Sequence, residues 1–127
     1  MQASPEKLPN ERIASIVKAI VDVDDLAQLL RRQLNRGKTW QRQLLAYLEQ
    51  ADLDAQVLRM TISLERPAPE LIGAAAKLGS TFRMAEANLQ STRADLTMRQ
   101  AVRLLVNMSG MLASALEEES SHFAGAS

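Results

Sequence analysis

The residues best suited to chemistry lie between positions 31 and 42, where basic side chains occur with no acid. They are Arg31, Arg32, Arg36, Lys38 and Arg42, and the only tryptophan, Trp40, lies among them. Arginine presents forked donors to phosphate and carboxylate groups, and an aromatic ring can stack on a base. The stretch therefore predicts an anion-binding surface. The alternative is that the arginines offset a helix dipole and that Trp40 packs against one end of the fold.

Acidic side chains form a second candidate group near the middle of the helical segments. Clustered carboxylates can hold a hard cation or take part in acid–base catalysis. These acids fall outside the periodic apolar rows, so we expect a solvated belt. The group comprises Asp22, Asp24, Asp25, Asp52, Asp54 and Glu86.

Few other residues of the sequence suit metal binding or catalysis. His122, the only histidine, has Glu118 four residues before it, but two ligands are too few for a metal site. The chain has no cysteine, phosphate-binding glycine loop, nucleophile elbow or zinc-protease motif. The methionines are expected to fill the core, and the alternative is that they line an adaptable groove for a partner. They are Met60, Met84, Met98, Met108 and Met111. The sequence thus predicts no catalytic residue, no metal and no cofactor.

Four segments that must position these residues carry apolar side chains at alternating steps of three and four. This heptad spacing is typical of amphipathic helices that pack side by side. Gly37 is expected to end the first helix and Thr39 to cap the second. Pro67 and Pro69 separate the second from the third. The four rows are Ile13, Ile16, Ile20, Val23, Ala27, Leu30, Leu34; Leu44, Leu48, Ala51, Ala55, Leu58, Ile62; Leu71, Ala75, Leu78, Phe82, Ala85, Leu89, Thr92, Leu96; and Ala101 or Val102, Leu105, Met108, Leu112, Ala115 or Leu116.

These segments predict an all-α protein, an antiparallel up-down four-helix bundle over residues 9–123. We expect a disordered leader at 1–8 and a frayed tail at 124–127. Asp95 or Thr97 is a suitable cap for the fourth helix. No glycine or proline enforces a break there, so the alternative is a long helical hairpin that dimerises.

The bundle topology predicts a basic end and an acidic end, since alternate turns lie together. The basic end would add Arg93 and Arg99 to the residues of the first turn. The candidate residues for binding an anion or a partner are therefore Arg31, Arg32, Arg36, Lys38, Trp40, Arg42, Arg93 and Arg99.

Composition narrows the function classes. The 127 residues suffice for one domain, and 46% of them are hydrophobic, which is ample for a core. Fifteen basic and fifteen acidic residues give zero net charge, which argues against a general binder of nucleic acid or of anionic membranes. Near-neutral proteins tend to self-associate. With no secretory signal or membrane span in the sequence, we expect a cytoplasmic protein of a bacterium-like cell.

One short run resembles a known family. Residues 20–32, with the sequence IVDVDDLAQLLRR, resemble the first helix of the all-helical chorismate mutases. The register of acids and arginines differs from that family, so we interpret the resemblance as convergence of two heptad helices and carry over no residue role.

Three functional hypotheses follow. The first is a non-enzymatic helical module that binds proteins as an adaptor, chaperone or regulatory subunit, with itself and another helical protein as partners. The second is a binder of nucleic acid or another polyanion through the basic end, which is less favoured. The third is a small all-helical enzyme with a pocket between helices.

Overall fold

The computed structural model describes the backbone of residues 7–126 and the side chains of residues 12–119. It contains four helices: α1 (Lys7–Gln33), α2 (Thr39–Ser63), α3 (Ala68–Gln90) and α4 (Leu96–Ala126). The described residues form no strand, so the predicted all-α class is confirmed. Residues 91–95 separate α3 from α4, which excludes the continuous rod of the hairpin alternative.

The limits of the described region bear on three predictions. Of the predicted leader, 1–8, only residues 7 and 8 are described, and they are helical. The predicted tail, 124–127, is helical through residue 126. The side chain of His122 lies outside the described residues.

The helices pack in a ring of neighbours. Helix α1 contacts α2 and α4, and α3 contacts the same two helices. Each helix buries most of its heptad row in a shared aliphatic core, which is compatible with a bundle. Phe82 is the one aromatic among the fully buried side chains of the described region. The central buried residues are Ile20, Val23, Leu44, Leu48, Leu58, Leu78, Phe82, Val102 and Leu105.

Two predicted core positions are exposed. Ile13 lies near the start of α1, and Leu96 is the first residue of α4. Leu96 was expected to continue the row of the third helix, but α3 ends at Gln90 and the helical period restarts. The break therefore moves Leu96 away from the core.

The first loop closes differently from the prediction. Helix α1 ends at Gln33, and Gly37 does not adopt the left-handed conformation of a glycine helix stop. The Lys38 N–H donates to Gln41 Oε1 at 2.9 Å, so a glutamine side chain secures the start of α2. The predictions for Gly37 as the stop and Thr39 as the cap are both wrong.

The third loop contains the predicted cap. The Met98 N–H donates to Asp95 Oδ1 at 3.2 Å, so the carboxylate satisfies one of the free donors at the start of α4. Ala94 is buried with the core residues, which holds this loop against the end of the molecule.

The small residues of α3 allow close packing at one position. Gly79 is buried, and a Cβ added there would lie 3.6 Å from Ser109 Oγ on α4 and 3.2 Å from Arg83 Nη1. Gly73 has open space around it. The run of small residues therefore brings α3 and α4 together at Gly79 in particular.

Helix α2 ends in a strained turn. Glu65 has a φ of 54°, a left-handed conformation that L side chains adopt at a cost. The Glu65 N–H donates to Ile62 O at 3.0 Å and the Arg66 N–H donates to Thr61 O at 3.1 Å. This pair of bonds closes a Schellman motif in which glutamate occupies the position that glycine prefers.

We predict that Glu65→Gly stabilises the protein by about 0.5–1 kcal/mol, because relief of the left-handed strain outweighs the added freedom of the unfolded chain. Urea unfolding followed by circular dichroism measures the change. Glu65→Ala is the matched control and should give no such gain, since alanine keeps the Cβ. Equal stabilisation by both variants would contradict the assignment of strain to this turn.

Candidate functional site

Three of the seven predicted basic residues bond to other groups of the protein, and the other four are exposed. Arg31 lies half-buried between α1 and α2 rather than at a free end. Its guanidinium donates to Gln28 Oε1 at 3.2 Å and lies 3.8 Å from carboxylate oxygens of both Glu49 and Asp52. Arg31 is therefore part of the contact between these helices.

Two other arginines hold loops. Arg42 Nη1 donates to the Arg36 carbonyl at 2.9 Å, and Arg99 Nε donates to the Ala94 carbonyl at 2.9 Å. A second Arg99 nitrogen donates to the Thr92 carbonyl. These bonds satisfy backbone oxygens that the chain turns leave free. Arg42 and Arg99 are thus structural in the free protein.

Trp40 packs against the core and is partly buried, with its Nε1 atom buried and without a hydrogen-bond partner. This position agrees with a ring that closes one end of the core. It leaves little of the ring face for stacking on a base.

The other basic candidates remain accessible. Arg32, Arg36, Lys38 and Arg93 are exposed, and none forms an ion pair with the described part of the chain. Four of the seven predicted basic residues are therefore free to meet an anion.

The prediction of a fully solvated acidic belt is wrong. Asp22 and Asp25 are exposed, but Asp54 is only 4% exposed and faces α3. Its carboxylate accepts hydrogen bonds from Thr81 Oγ1 and, at 3.0 Å, from Gln50 Nε2. Lys77 Nζ lies 3.7 Å away. These partners satisfy the charge, so Asp54 links α2 to α3.

A pair of carboxylates bridges α1 and α2. Asp52 accepts from Gln28 Nε2 at 2.8 Å and from Gln56 Nε2 at 3.0 Å. Asp24 lies beside Asp52, with its Oδ2 atom 3.9 Å from Arg59 Nη1 and its Oδ1 atom buried without a partner. Burial first, and then the neighbouring carboxylate of Asp52, raise the pKa of Asp24, while Arg59 and Gln28 oppose the rise.

We predict that Asp24→Asn stabilises the protein at neutral pH, because it removes a charge that burial and the neighbouring Asp52 disfavour. The expected gain is about 0.5–1.5 kcal/mol, the range of one net hydrogen bond. A raised pKa means that the folded state binds the proton more tightly than the unfolded state. The free energy of unfolding of the wild type therefore falls as pH rises through the folded pKa, and this part of the fall should disappear in the variant.

Urea unfolding between pH 4 and pH 8 tests this pH dependence. The control is Asp25→Asn at the exposed neighbouring position, which should change the free energy of unfolding by less than about 0.5 kcal/mol. A destabilised Asp24→Asn variant at neutral pH would show that the attraction between Asp24 and Arg59 outweighs the burial of the carboxylate.

The described residues contain no group of three or more histidine, cysteine or acidic side chains placed to hold a metal ion. A groove of about 300 Å³ between α3 and α4 is lined by Glu86, Arg99 and Arg103 among others. Arg103 Nη1 donates to Glu86 Oε2 at 3.0 Å and is largely exposed. The groove therefore lacks a set of buried charged groups facing a substrate.

A row of exposed apolar side chains on the outside of α2 was not predicted from the sequence, and the expectation that Met60 fills the core is wrong. Leu53, Val57, Met60 and Leu64 are 54%, 56%, 61% and 64% exposed. They repeat at steps of four, three and four, so Leu53, Val57 and Met60 form a row on the outside of α2, and Leu64, the residue just after the helix, extends it. The signal was present in the sequence as a second heptad row beside that of Leu48, Ala55 and Leu58.

Comparison of the chain with protein-family models, curated proteins and solved structures finds no match. Among the described residues, none of the helices has the length and apolar character needed to cross a membrane.

Proposed function

We propose that the protein is a non-enzymatic helical module that binds other proteins and associates with itself. The observation that carries this proposal is the outer row of α2, where four large apolar side chains lie together in solvent. Isolated exposed apolar residues are ordinary on protein surfaces, but a contiguous row at heptad spacing is typical of helix–helix docking. The zero net charge removes general repulsion between copies.

The energy available from this row is moderate. Removing a half-exposed leucine, valine or methionine from water gains about 1 kcal/mol. Four such residues on each partner give about 8 kcal/mol, and the loss of translational and rotational freedom on association offsets part or all of this gain. A row of this size suits weak, reversible binding, as by an adaptor, chaperone or regulatory subunit in the cytoplasm.

We also propose the antiparallel up-down order for the four helices. Along α1 from Asp24 to Arg31, the contacted position on α2 moves back from Arg59 to Glu49. The contacts of Gly79 with Ser109 and of Glu86 with Arg103 run in the same opposed sense between α3 and α4. Arg12 near the start of α1 pairs with Glu119 of α4 at 2.8 Å, which supports the same order.

Binding of nucleic acid or another polyanion is the second candidate function. It is supported by the exposed and unpaired Arg32, Arg36, Lys38 and Arg93. In the antiparallel order, loops 34–38 and 91–95 lie at the same end, which brings these charges together. Four charges are a small footprint, and Trp40 packs inward, so this candidate stands behind the first.

The enzyme hypothesis receives less support. A pocket with at least two buried arginines would have favoured it. Arg99 beside the α3–α4 groove is committed to backbone carbonyls, and Arg103 is largely exposed. Neither side chain is held in a closed site where it would stabilise charge in a transition state.

Native mass spectrometry of the full chain at micromolar concentration tests the proposed function. We predict a concentration-dependent dimer without additional mass, since the apolar row buries itself against a partner. A monomer at all concentrations up to about 100 μM would contradict self-association. A monomer carrying a bound polyanion would instead support the second candidate.

A further inference from the structure

We infer that two copies of the chain dock through the outer rows of α2, lying antiparallel across a two-fold axis. The inference rests on the proposed self-association and specifies its surface and its partner. The surface is the α2 row, defined as Leu53, Val57, Met60 and Leu64.

The spacing of the α2 row is the same in both directions. Its steps of four, three and four are symmetric about a point between Val57 and Met60. An antiparallel second copy therefore places its Leu64 opposite Leu53 and its Met60 opposite Val57. A two-fold interface uses the same patch on both subunits, so a self-complementary row of this kind meets its geometric requirement.

The charges of α2 leave the row uninterrupted. Between positions 53 and 64 the only ionisable residues are Asp54 and Arg59. Asp54 is buried against Thr81 of α3, and Arg59 lies toward Asp24 of α1. Both charges thus face neighbouring helices, and the outward side of this segment carries none. A second copy presents an equally uncharged surface, so the pairing buries no unpaired ion.

The polar residues flanking the row suit an antiparallel neighbour. Gln56 and Ser63 border it toward α1, and Thr61 borders it toward α3. In an antiparallel pair, positions on one flank meet the same flank of the other helix, which brings Gln56 near Ser63 of a second copy. Neutral side chains there create no like-charge contact. Four side chains cover less surface than the ~800 Å² per partner of a standard interface. The dimer should therefore dissociate on dilution.

Cysteine cross-linking tests the orientation, because the wild-type chain contains no cysteine. Leu53→Cys and Leu64→Cys are prepared separately, the second with ¹⁵N labelling so that the two chains differ in mass. Both positions are exposed, so neither change disturbs the core. The variants are oxidised alone and as an equal mixture, and the products are identified by mass spectrometry.

We expect covalent dimers in the mixture to be at least tenfold enriched in the mixed species, with little product from either variant alone. In the antiparallel pair, position 53 of one copy and position 53 of the other lie 11 residues apart along the helix axis, and so do the two positions 64. This separation of about 16 Å exceeds the reach of a disulfide. Ser114→Cys mixed with Leu53→Cys is the matched control, since residue 114 is exposed on α4 and should not cross-link.

Same-position dimers as the main products would overturn the antiparallel arrangement. Native mass spectrometry before oxidation distinguishes a failure of the α2 surface from a failure of self-association. A non-covalent dimer that gives no cross-link through positions 53 and 64 would overturn the α2 surface while leaving self-association standing. A chain that is monomeric before oxidation would overturn both.

Discussion

The burial of one narrow aliphatic row on each helix is the constraint on which the rest of this structure depends. With Phe82 as the only aromatic in the described core, the helices must approach closely to exclude water, and alanine fills many inward positions. Ala27, Ala51, Ala55, Ala75 and Ala85 are all buried. Because the core takes little more than the heptad row, other apolar residues of the same helices remain outside.

The arrangement of polar groups follows from this close packing. Off-row acids that lie between helices lose water and must find donors, as Asp54 does with Thr81 and Gln50. Asp24 shows the incomplete case, since one of its oxygens is buried without a partner and its pKa is raised. Arg42 and Arg99 serve the loops in the same way by donating to free carbonyls. Arg32, Arg36, Lys38 and Arg93 remain exposed without an ion pair in the described part of the chain.

The helices and most of the core could be predicted from the sequence, because heptad spacing and composition are local properties of the chain. The rows containing Ile20, Leu48, Leu78 and Leu105 were predicted and are buried. Helix ends were harder to predict: Asp95 caps α4 as expected, but Gly37 does not end α1 and Gln41 replaces Thr39 at the start of α2. Loop closure depends on which side chain reaches a free backbone group, and several neighbours compete for that role.

The environment of the acids could not be predicted from one helix at a time. The burial of Asp54 depends on Thr81, 27 positions later, and that contact requires the register between α2 and α3. The α2 row differs from this case, because its heptad spacing lies within one helix and was readable from the start. Its exposure depends on the packing of the bundle, because the neighbouring row of α2 fills the core.

We propose that the outer row of α2 is a protein-contact surface. The most direct test is sedimentation velocity of Val57→Asp beside the wild type at equal concentrations, with thermal unfolding of both. Val57 is 56% exposed, so the charge should leave cooperative unfolding intact while weakening association at least tenfold. A folded Val57→Asp variant that associates as tightly as the wild type would contradict the claim.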